Sequence, residues 1–297
     1  MVKERIVYID GGICSQLAFY ARGLAFERAG YKVKYDLGWF RKSGTDLTGR
    51  FIRHYCLPFI IRGASIKEAC KLEVCLAKFF STTAKRIKCC TLPLSYSGVD
   101  YNGLLYDLAN ELGTLRARFS VPSSELDEYN KGILDRINGG YTCGVHCRRG
   151  DLVGDNSFYG RSSSSDYFAA LCMEIEHRHP GVKMFFFSDE PQWVRDNIIP
   201  KLPQDINCEV VDGNEGERCY LDLFLCSHCD CIISSSGSMG RMAWLFSGKA
   251  SALYTSRVDC PNFPRELMES GLASINGKTV VACDEYGRII KCIGGSL

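Results

Sequence analysis

Apolar and polar positions along this chain repeat with two periods, and the alternation between the periods marks its elements. Arg5 to Ile9 is a short β-prone run, Asp10-Gly11-Gly12-Ile13-Cys14-Ser15-Gln16 is a glycine turn, and Leu17 to Arg28 repeats as a helix until Gly30 ends it. Ser15 is the predicted N-cap. Lys32 to Asp36 reads as a second strand, and from Trp39 to Leu92 the pattern is helical and basic. Within it Leu72, Cys75, Leu76 and Phe79 recur at i, i+3, i+4 and i+7, a stripe expected to pack into a core, with a membrane-surface face as the alternative because Lys67, Lys71, Lys78, Lys85, Arg86 and Lys88 lie nearby. Ser97 to Asn102 is loop-like and Leu104 to Arg118 again helical. Ser123 or Ser124 is predicted to cap a helix reaching Ile137, and Asn138-Gly139-Gly140 breaks the chain.

Beyond the break, strands and helices alternate at close intervals. Strands are predicted at Tyr141 to Cys147, Val182 to Ser188, Cys208 to Val211 and Cys231 to Ser234, with helices at Asp166 to His177, Trp193 to Ile199, Tyr220 to Ser227 and Arg241 to Phe246. Thr279 to Lys291 forms two short strands around Glu285-Tyr286-Gly287. This is an α/β pattern of doubly wound parallel sheets, in which ligands sit at the carboxyl ends of strands. A chain of 297 residues accommodates two such domains, predicted as 1–138 and 139–297 with the boundary at the glycine break.

The densest chemistry follows that break, in Thr142 to Asp155, T-C-G-V-H-C-R-R-G-D-L-V-G-D. A strand ending in His146 delivers Arg148 and Arg149, then Gly150 and Asp151. Two guanidiniums at a strand end can fork onto the oxygens of a pyrophosphate, glycine lets backbone approach a ligand, and an aspartate can hold a guanidinium in place. Ser235, Ser236 and Ser238 lie between a strand and a helix, where their hydroxyls and the backbone amides of Gly237 and Ser238 would form a second phosphate cradle. The opening glycine turn also precedes a helix, but it lacks the full dinucleotide fingerprint.

These segments carry a family resemblance. His146-Cys147-Arg148-Arg149-Gly150-Asp151 resembles the His-x-Arg-Arg-x-Asp block of the α1,2-fucosyltransferases of glycosyltransferase family 11 and, more loosely, of α1,6-fucosyltransferases. Phe187-Ser188-Asp189-Glu190 with Trp193 is similar to a second block, and Tyr220-Leu221-Asp222-Leu223 running to Ser234-Ser235-Ser236-Gly237-Ser238 to a third. The opening turn resembles a Gly-Gly-x-Gly-Asn-Gln segment, with Cys14 and Ser15 in place of Gly and Asn and Gln16 retained.

The resemblance implies a GT-B fold, two Rossmann-like domains facing a cleft, with GDP-fucose held mainly by the C-terminal one and a glycan acceptor by the N-terminal one. It implies inverting transfer of fucose without a metal or other cofactor, to the 2-OH of a terminal galactoside. Arg148 is then assigned to the β-phosphate of the leaving GDP; Arg149 shares that task or braces the loop through Asp151. His146, Asp189 and Asp222 fall on the nucleotide side, and Gly12, Gln16 and Asp151 on the substrate side. The relatives' catalytic Glu falls on Asn156, and Asp155 is the nearest carboxylate to act as base. The third block continues Met239-Gly240-Arg241-Met242-Ala243-Trp244, which departs from family 11 and is closer to the α1,6 relatives. Alternatives left open are α1,6 transfer, another GDP-sugar, and a nucleotide-binding scaffold without catalysis.

Composition narrows the setting. With 46% hydrophobic and 24% charged residues the chain is globular. Its apolar runs are too short to span a bilayer and its opening reads as a strand, so a cytoplasmic location is expected. Seventeen scattered cysteines do not form a disulfide framework. Cys226, His228, Cys229 and Cys231 gather ligand-type side chains, but they run from a helix into a strand and no second pair follows, so no metal site is expected. Residues 1–91 hold 17 Lys and Arg against 7 Asp and Glu. No aromatic-interleaved basic motif points to nucleic acid. The basic excess instead raises the expectation that the N-terminal part touches an anionic membrane at its inner face, and the resemblance implies that lipid-linked glycans such as O-antigen precursors would be displayed there as acceptors.

Overall fold

The computed structural model describes residues 3–42, 44–45, 49, 51–64, 66–87, 94–153, 162–256, 263–273 and 277–295. The chain forms two compact units, Met1–Arg118 and Phe119–Leu297.

The first unit runs β1 (Glu4–Tyr8), α1 (Ile13–Arg28), β2 (Lys32–Asp36), α2 (Gly38–Lys42), α3 (Leu57–Ile60), α4 (Lys71–Ile87), β3 (Leu94–Ser97) and α5 (Tyr101–Arg118). Its three strands are parallel in the order β2-β1-β3. The first strand in the middle is what a doubly wound unit produces when successive right-handed crossovers leave on opposite sides. Helix α1 buries Leu17, Phe19, Ala21 and Leu24, and α5 meets it with Leu104, Leu108, Leu112 and Leu115. Arg22–Asp107 at 2.7 Å and Arg28–Glu111 at 2.6 Å tie the two helices. Gly11, at φ +71, makes the turn before α1. The helix starts at Ile13, ahead of the predicted Leu17, and Gly12 rather than Ser15 is its N-cap; the Ser15 hydroxyl donates instead to Asp10 Oδ1 at 3.3 Å.

Helix α4 overturns a prediction. It packs on β3 through small residues, Ala77 buried with Val74 beside Ile6, Leu94 and Tyr96. The stripe expected in the core faces outward instead, with Leu72 67%, Leu76 41% and Phe79 64% exposed. Strand β3 is a further addition, lying between the helical pattern that ends at Leu92 and the loop-like stretch that begins at Ser97.

The second unit runs α6 (Glu128–Asn138), β4 (Thr142–Cys147), α7 (Ser165–Arg178), β5 (Lys183–Ser188), α8 (Pro191–Asn197), β6 (Asn207–Val211), α9 (Cys219–Cys226), β7 (Cys231–Ser234), α10 (Ser238–Phe246), β8 (Ala252–Thr255), α11 (Arg265–Leu272), β9 (Thr279–Cys283) and β10 (Ile289–Gly294). The sheet order is β10-β9-β8-β7-β4-β5-β6, parallel except for the closing β9–β10 hairpin. Strand β4 is buried along its whole length, as a central parallel strand must be, and Val145, Phe186, Ile233, Tyr254 and Val281 share one core with Phe168 and Ile175 of α7. The chain leaves β4 toward β5 and β6, then returns to add β7, β8 and β9 on the other side. The winding direction therefore reverses between β4 and β7.

The division between units falls at 118/119, not at the predicted 138/139. Helix α6 belongs with the second unit because it packs on α9. Arg136 forks onto Glu209 at 3.0 and 2.6 Å, Arg218 reaches Asp127 at 2.6 Å, and the Asn130 and Asn214 amides exchange hydrogen bonds at 3.1 and 2.8 Å. Gly139 and Gly140 are only the turn from α6 into β4. Asp127, not Ser123 or Ser124, caps α6, accepting from the Asn130 amide at 2.9 Å.

Candidate functional site

Three sequence blocks separated by up to 90 residues arrive at one place, the carboxyl ends of the neighbouring strands β7, β4 and β5. This is where the winding reverses, and a doubly wound sheet opens its ligand crevice there.

Strand β4 ends at Cys147 and places Arg148 and Arg149 past the edge. Asp189, just past β5, holds both: its Oδ2 pairs with the Arg148 guanidinium and its Oδ1 accepts the Arg149 backbone N–H at 2.9 Å. Burial raises the Asp189 carboxyl above the ordinary range, while the Arg148 charge and the backbone donors pull it down. Ser188 continues the tie, donating to the Cys147 carbonyl at 2.8 Å and accepting from the Glu190 amide at 3.1 Å. Arg149 turns aside, with its guanidinium 3.8 Å from the centre of the Trp193 ring and Nε on Glu190 at 2.9 Å. Two roles were expected for Arg149, a phosphate contact or bracing through Asp151; its described partners are Glu190 and Trp193. The Asp151 side chain lies outside the described residues, as does Asp155 entirely.

From the β7 side, Ser235 Oγ accepts the Arg148 N–H at 3.0 Å and the Gly237 N–H at 3.4 Å, and lies 3.4 Å from His146 Nδ1. That fully buried hydroxyl joins strand ends and is not turned toward a ligand. Ser236 is buried too, and its carbonyl accepts from both terminal nitrogens of Arg241 at 3.4 Å. Ser238 is exposed and opens α10 behind the N-cap Gly237. His146 Nδ1 accepts the Gly240 N–H at 3.3 Å, so the imidazole caps the first turn of α10 and carries its proton on Nε2. Burial, with Arg148 and Arg241 nearby, pushes His146 down to about 3, so it is neutral at working pH. The first amides of α10, of Ser238 and Met239, have no acceptor within the helix, and the backbone of Gly237 lies against Arg148. A Cβ added at Gly237 would sit 2.8 Å from Arg148 Cβ. Arg148, the start of α10 and the absence of a side chain at Gly237 together make a positively charged notch suited to a diphosphate.

Asp222 is arranged differently from the expected nucleotide contact. Its Oδ1 accepts from Asn214 Nδ2 at 2.9 Å, joining the amide pair that secures α6, and burial pushes its carboxyl up to about 7. Gln16 is also committed internally: Nε2 donates to the carbonyls of Gly11 at 3.1 Å and His54 at 2.8 Å, and Oε1 accepts the Cys56 amide at 2.9 Å. Two of these bonds reach the 54–56 loop and the third the glycine turn, so in place of the substrate contact expected of it Gln16 ties one to the other. Gly12 stays partly exposed at the head of α1. His228 Nδ1 bonds the Phe224 carbonyl at 2.8 Å, and among the described residues no three His, Cys, Asp or Glu side chains are gathered as a metal site.

Glu190, and Gly240 with the His146 bond it makes, are the site residues that sequence reasoning missed. Glu190 stood inside a matching block, one position after Asp189, and that adjacency was the available signal.

Comparison with known proteins adds relatives to this geometry. A galactoside 2-alpha-L-fucosyltransferase of Caenorhabditis elegans is 28% identical over 102 residues, which is 34% of this chain; the match spans 28% of that protein's length. Similar solved structures include the fucosyltransferase NodZ from Bradyrhizobium, 14% identical with all of both chains covered and a TM-score of 0.48. Another is E. coli ADP-heptose lps heptosyltransferase II, 11% identical over 89% of each chain with a TM-score of 0.47. The sequence model of Glycosyl transferase family 11 matches residues 106–269. That match takes in more than half of the chain and every block at the reversal point, and the chain belongs to glycosyltransferase family 11.

Proposed function

We propose that the protein is a fucosyltransferase that moves fucose from GDP-fucose to a hydroxyl of a glycan acceptor, with inversion and without a divalent ion, and that the acceptor position is the 2-OH of a terminal galactoside. Family membership supports the reaction class, and the name of the nematode relative supports fucose and the galactoside. The observation that carries the reading is the fixed Arg148 guanidinium beside the open first turn of α10 at the sheet's reversal point. As the bond from the anomeric carbon to the phosphate oxygen lengthens, negative charge grows on the diphosphate, and a guanidinium already aimed there stabilises it without reorganising. Asp189 acts by positioning, since it fixes both the Arg148 side chain and the Arg149 backbone. Neutral His146 holds α10 in register and takes no part in proton transfer. The acceptor proton passes to a carboxylate, for which Asp155 is the candidate.

The test is incubation with GDP-fucose and a panel of β-galactosides, followed by linkage analysis of any product. Formation of an α1,2-fucosylated galactoside is expected. A 6-linked product would replace the regiochemistry, turnover only with another GDP-sugar would replace the donor, and tight GDP binding without turnover of any acceptor would leave a binding protein.

A further inference from the structure

Helix α4 presents an apolar face to solvent, and that face is built to its end. Leu72, Leu76 and Phe79 are exposed along it. One turn later Thr82 and Thr83 continue the outer side, and each hydroxyl bonds back to the helix, to the Lys78 and Phe79 carbonyls at 2.9 Å. Their polar atoms are thereby used internally and their methyl groups extend the stripe. The inner side is small and already occupied, with Ala77 and Val74 against the sheet, so rotating the helix cannot hide the leucines and the phenylalanine without losing that contact.

Charge decides what covers this face. Lys67 and Lys71 are exposed beside it, and Lys85 and Arg86 follow in the helical sequence, while Lys78 reaches to the sheet side, 3.5 Å from Asp36 Oδ2 and 4.5 Å from the centre of the Tyr96 ring. Glu73 is the only acidic residue of α4, and it is paired with Lys34 on the sheet side. A second copy of the same face would bring cations against cations, whereas an anionic surface is attracted by them and lets the stripe sink between headgroups. At about 1.5 Å per residue the 17-residue helix is roughly 25 Å long, enough to lie flat in a bilayer interface. No described helix is long and apolar enough to cross a membrane.

We infer that α4 is an interfacial anchor that seats the first unit on an anionic lipid surface, with Leu72, Leu76 and Phe79 buried among the headgroups and the basic residues paired with lipid phosphates. The inference is independent of the proposed reaction, and its readout is binding alone.

The experiment is sedimentation of the full chain with vesicles of phosphatidylcholine and of phosphatidylcholine mixed with phosphatidylglycerol, at low and high salt. Binding to the anionic vesicles is expected, weakening as salt rises and absent with neutral vesicles. The double variant Leu72→Ser, Phe79→Ser should keep the wild-type circular dichroism and lose about tenfold or more in partitioning, since two apolar side chains no longer leave water. Lys67→Glu with Lys71→Glu should abolish the preference for anionic vesicles. Equal binding of wild type and the serine variant, or no binding to anionic vesicles at low salt, would overturn the inference. A dimer in lipid-free solution that the serine variant breaks would overturn it as well, by assigning the face to a second copy.

Discussion

At the scale of single residues, Arg148 and His146 stand two positions apart and do opposite things. Arg148 presents a guanidinium at the strand end, and its value there is the planar fork, which lysine cannot reproduce. Arg148→Lys is expected to lower kcat/KM about 10²- to 10³-fold with the circular dichroism unchanged, the range found when one preorganised donor to a developing anion is removed. Wild-type kinetics in that variant would remove Arg148 from the chemistry. His146 is kept neutral, its pKa pushed from 6.5 to about 3 by burial and by two arginines. Because the folded form resists protonation, the stability it contributes is present above pH 6.5 and drains away as pH falls toward about 3. Glutamine keeps an acceptor for the Gly240 amide but does not titrate, so the melting temperature of His146→Gln should fall less steeply across that window. Parallel melting curves for the two proteins would contradict this account.

The same scale shows where sequence sufficed. That Arg148, Asp189 and Ser235 would meet was legible, because motif spacing survives folding when each block sits at a strand end; that Asp189 and Ser235 would both bond the Arg148 segment was not. Gln16 was not, because its partners at His54 and Cys56 are about 40 residues away along the chain and belong to no element. The Ser235 hydroxyl looked like a ligand group, yet strand ends packed this closely need internal acceptors for their own amides, and it accepts those of Arg148 and Gly237.

At the scale of elements, α10 matters most because its start is pressed against the end of β4. Two glycines permit this. A Cβ at Gly237 would meet Arg148 Cβ at 2.8 Å, and one at Gly240 would meet Ser234 Oγ at 2.8 Å. Gly237→Ala should therefore cost about 1–3 kcal/mol through overpacking and also displace the Arg148 stem, so that turnover falls more than the fraction of folded protein explains. Unchanged kcat in a variant that melts lower would separate α10 from the chemistry. The periods that located α10 and α4 were informative about existence and blind to direction. In α4 the repeat of Leu72, Cys75, Leu76 and Phe79 revealed an apolar stripe, but the sheet selected the smaller Val74 and Ala77 side because close packing favours it. Strands β3 and β8 went unread in the sequence, although β7, equally short at four residues, did not.

For the whole molecule, the alternation of strands and helices was enough to give two α/β units, and the position of their boundary was not. Glycines in sequence signal a break without saying whether it separates units or turns a helix into a strand. What assigned α6 to the second unit was a set of long-range polar contacts to Glu209, Asn214 and Arg218. The arrangement of charge over the second unit also carries a prediction. With Arg148 and the first turn of α10 placed to meet the diphosphate, excess EDTA should leave the initial rate nearly unchanged; complete loss, restored by Mn²⁺ or Mg²⁺, would show that an ion supplies the charge instead.

The contact between Gly237 and the Arg148 stem reaches beyond geometry. An arginine loses about 2 kcal/mol of rotamer entropy when it is immobilised. Here the glycine wall on one side and the Asp189 carboxylate at the tip impose that loss when the chain folds, before any nucleotide arrives. If GDP binds as proposed, the entropic cost of its binding should then be small, and calorimetry should find the entropic term less favourable in Asp189→Asn, whose arginine must be ordered by the ligand itself. An identical entropic term in the two proteins would mean that the side chain still moves freely in the folded protein.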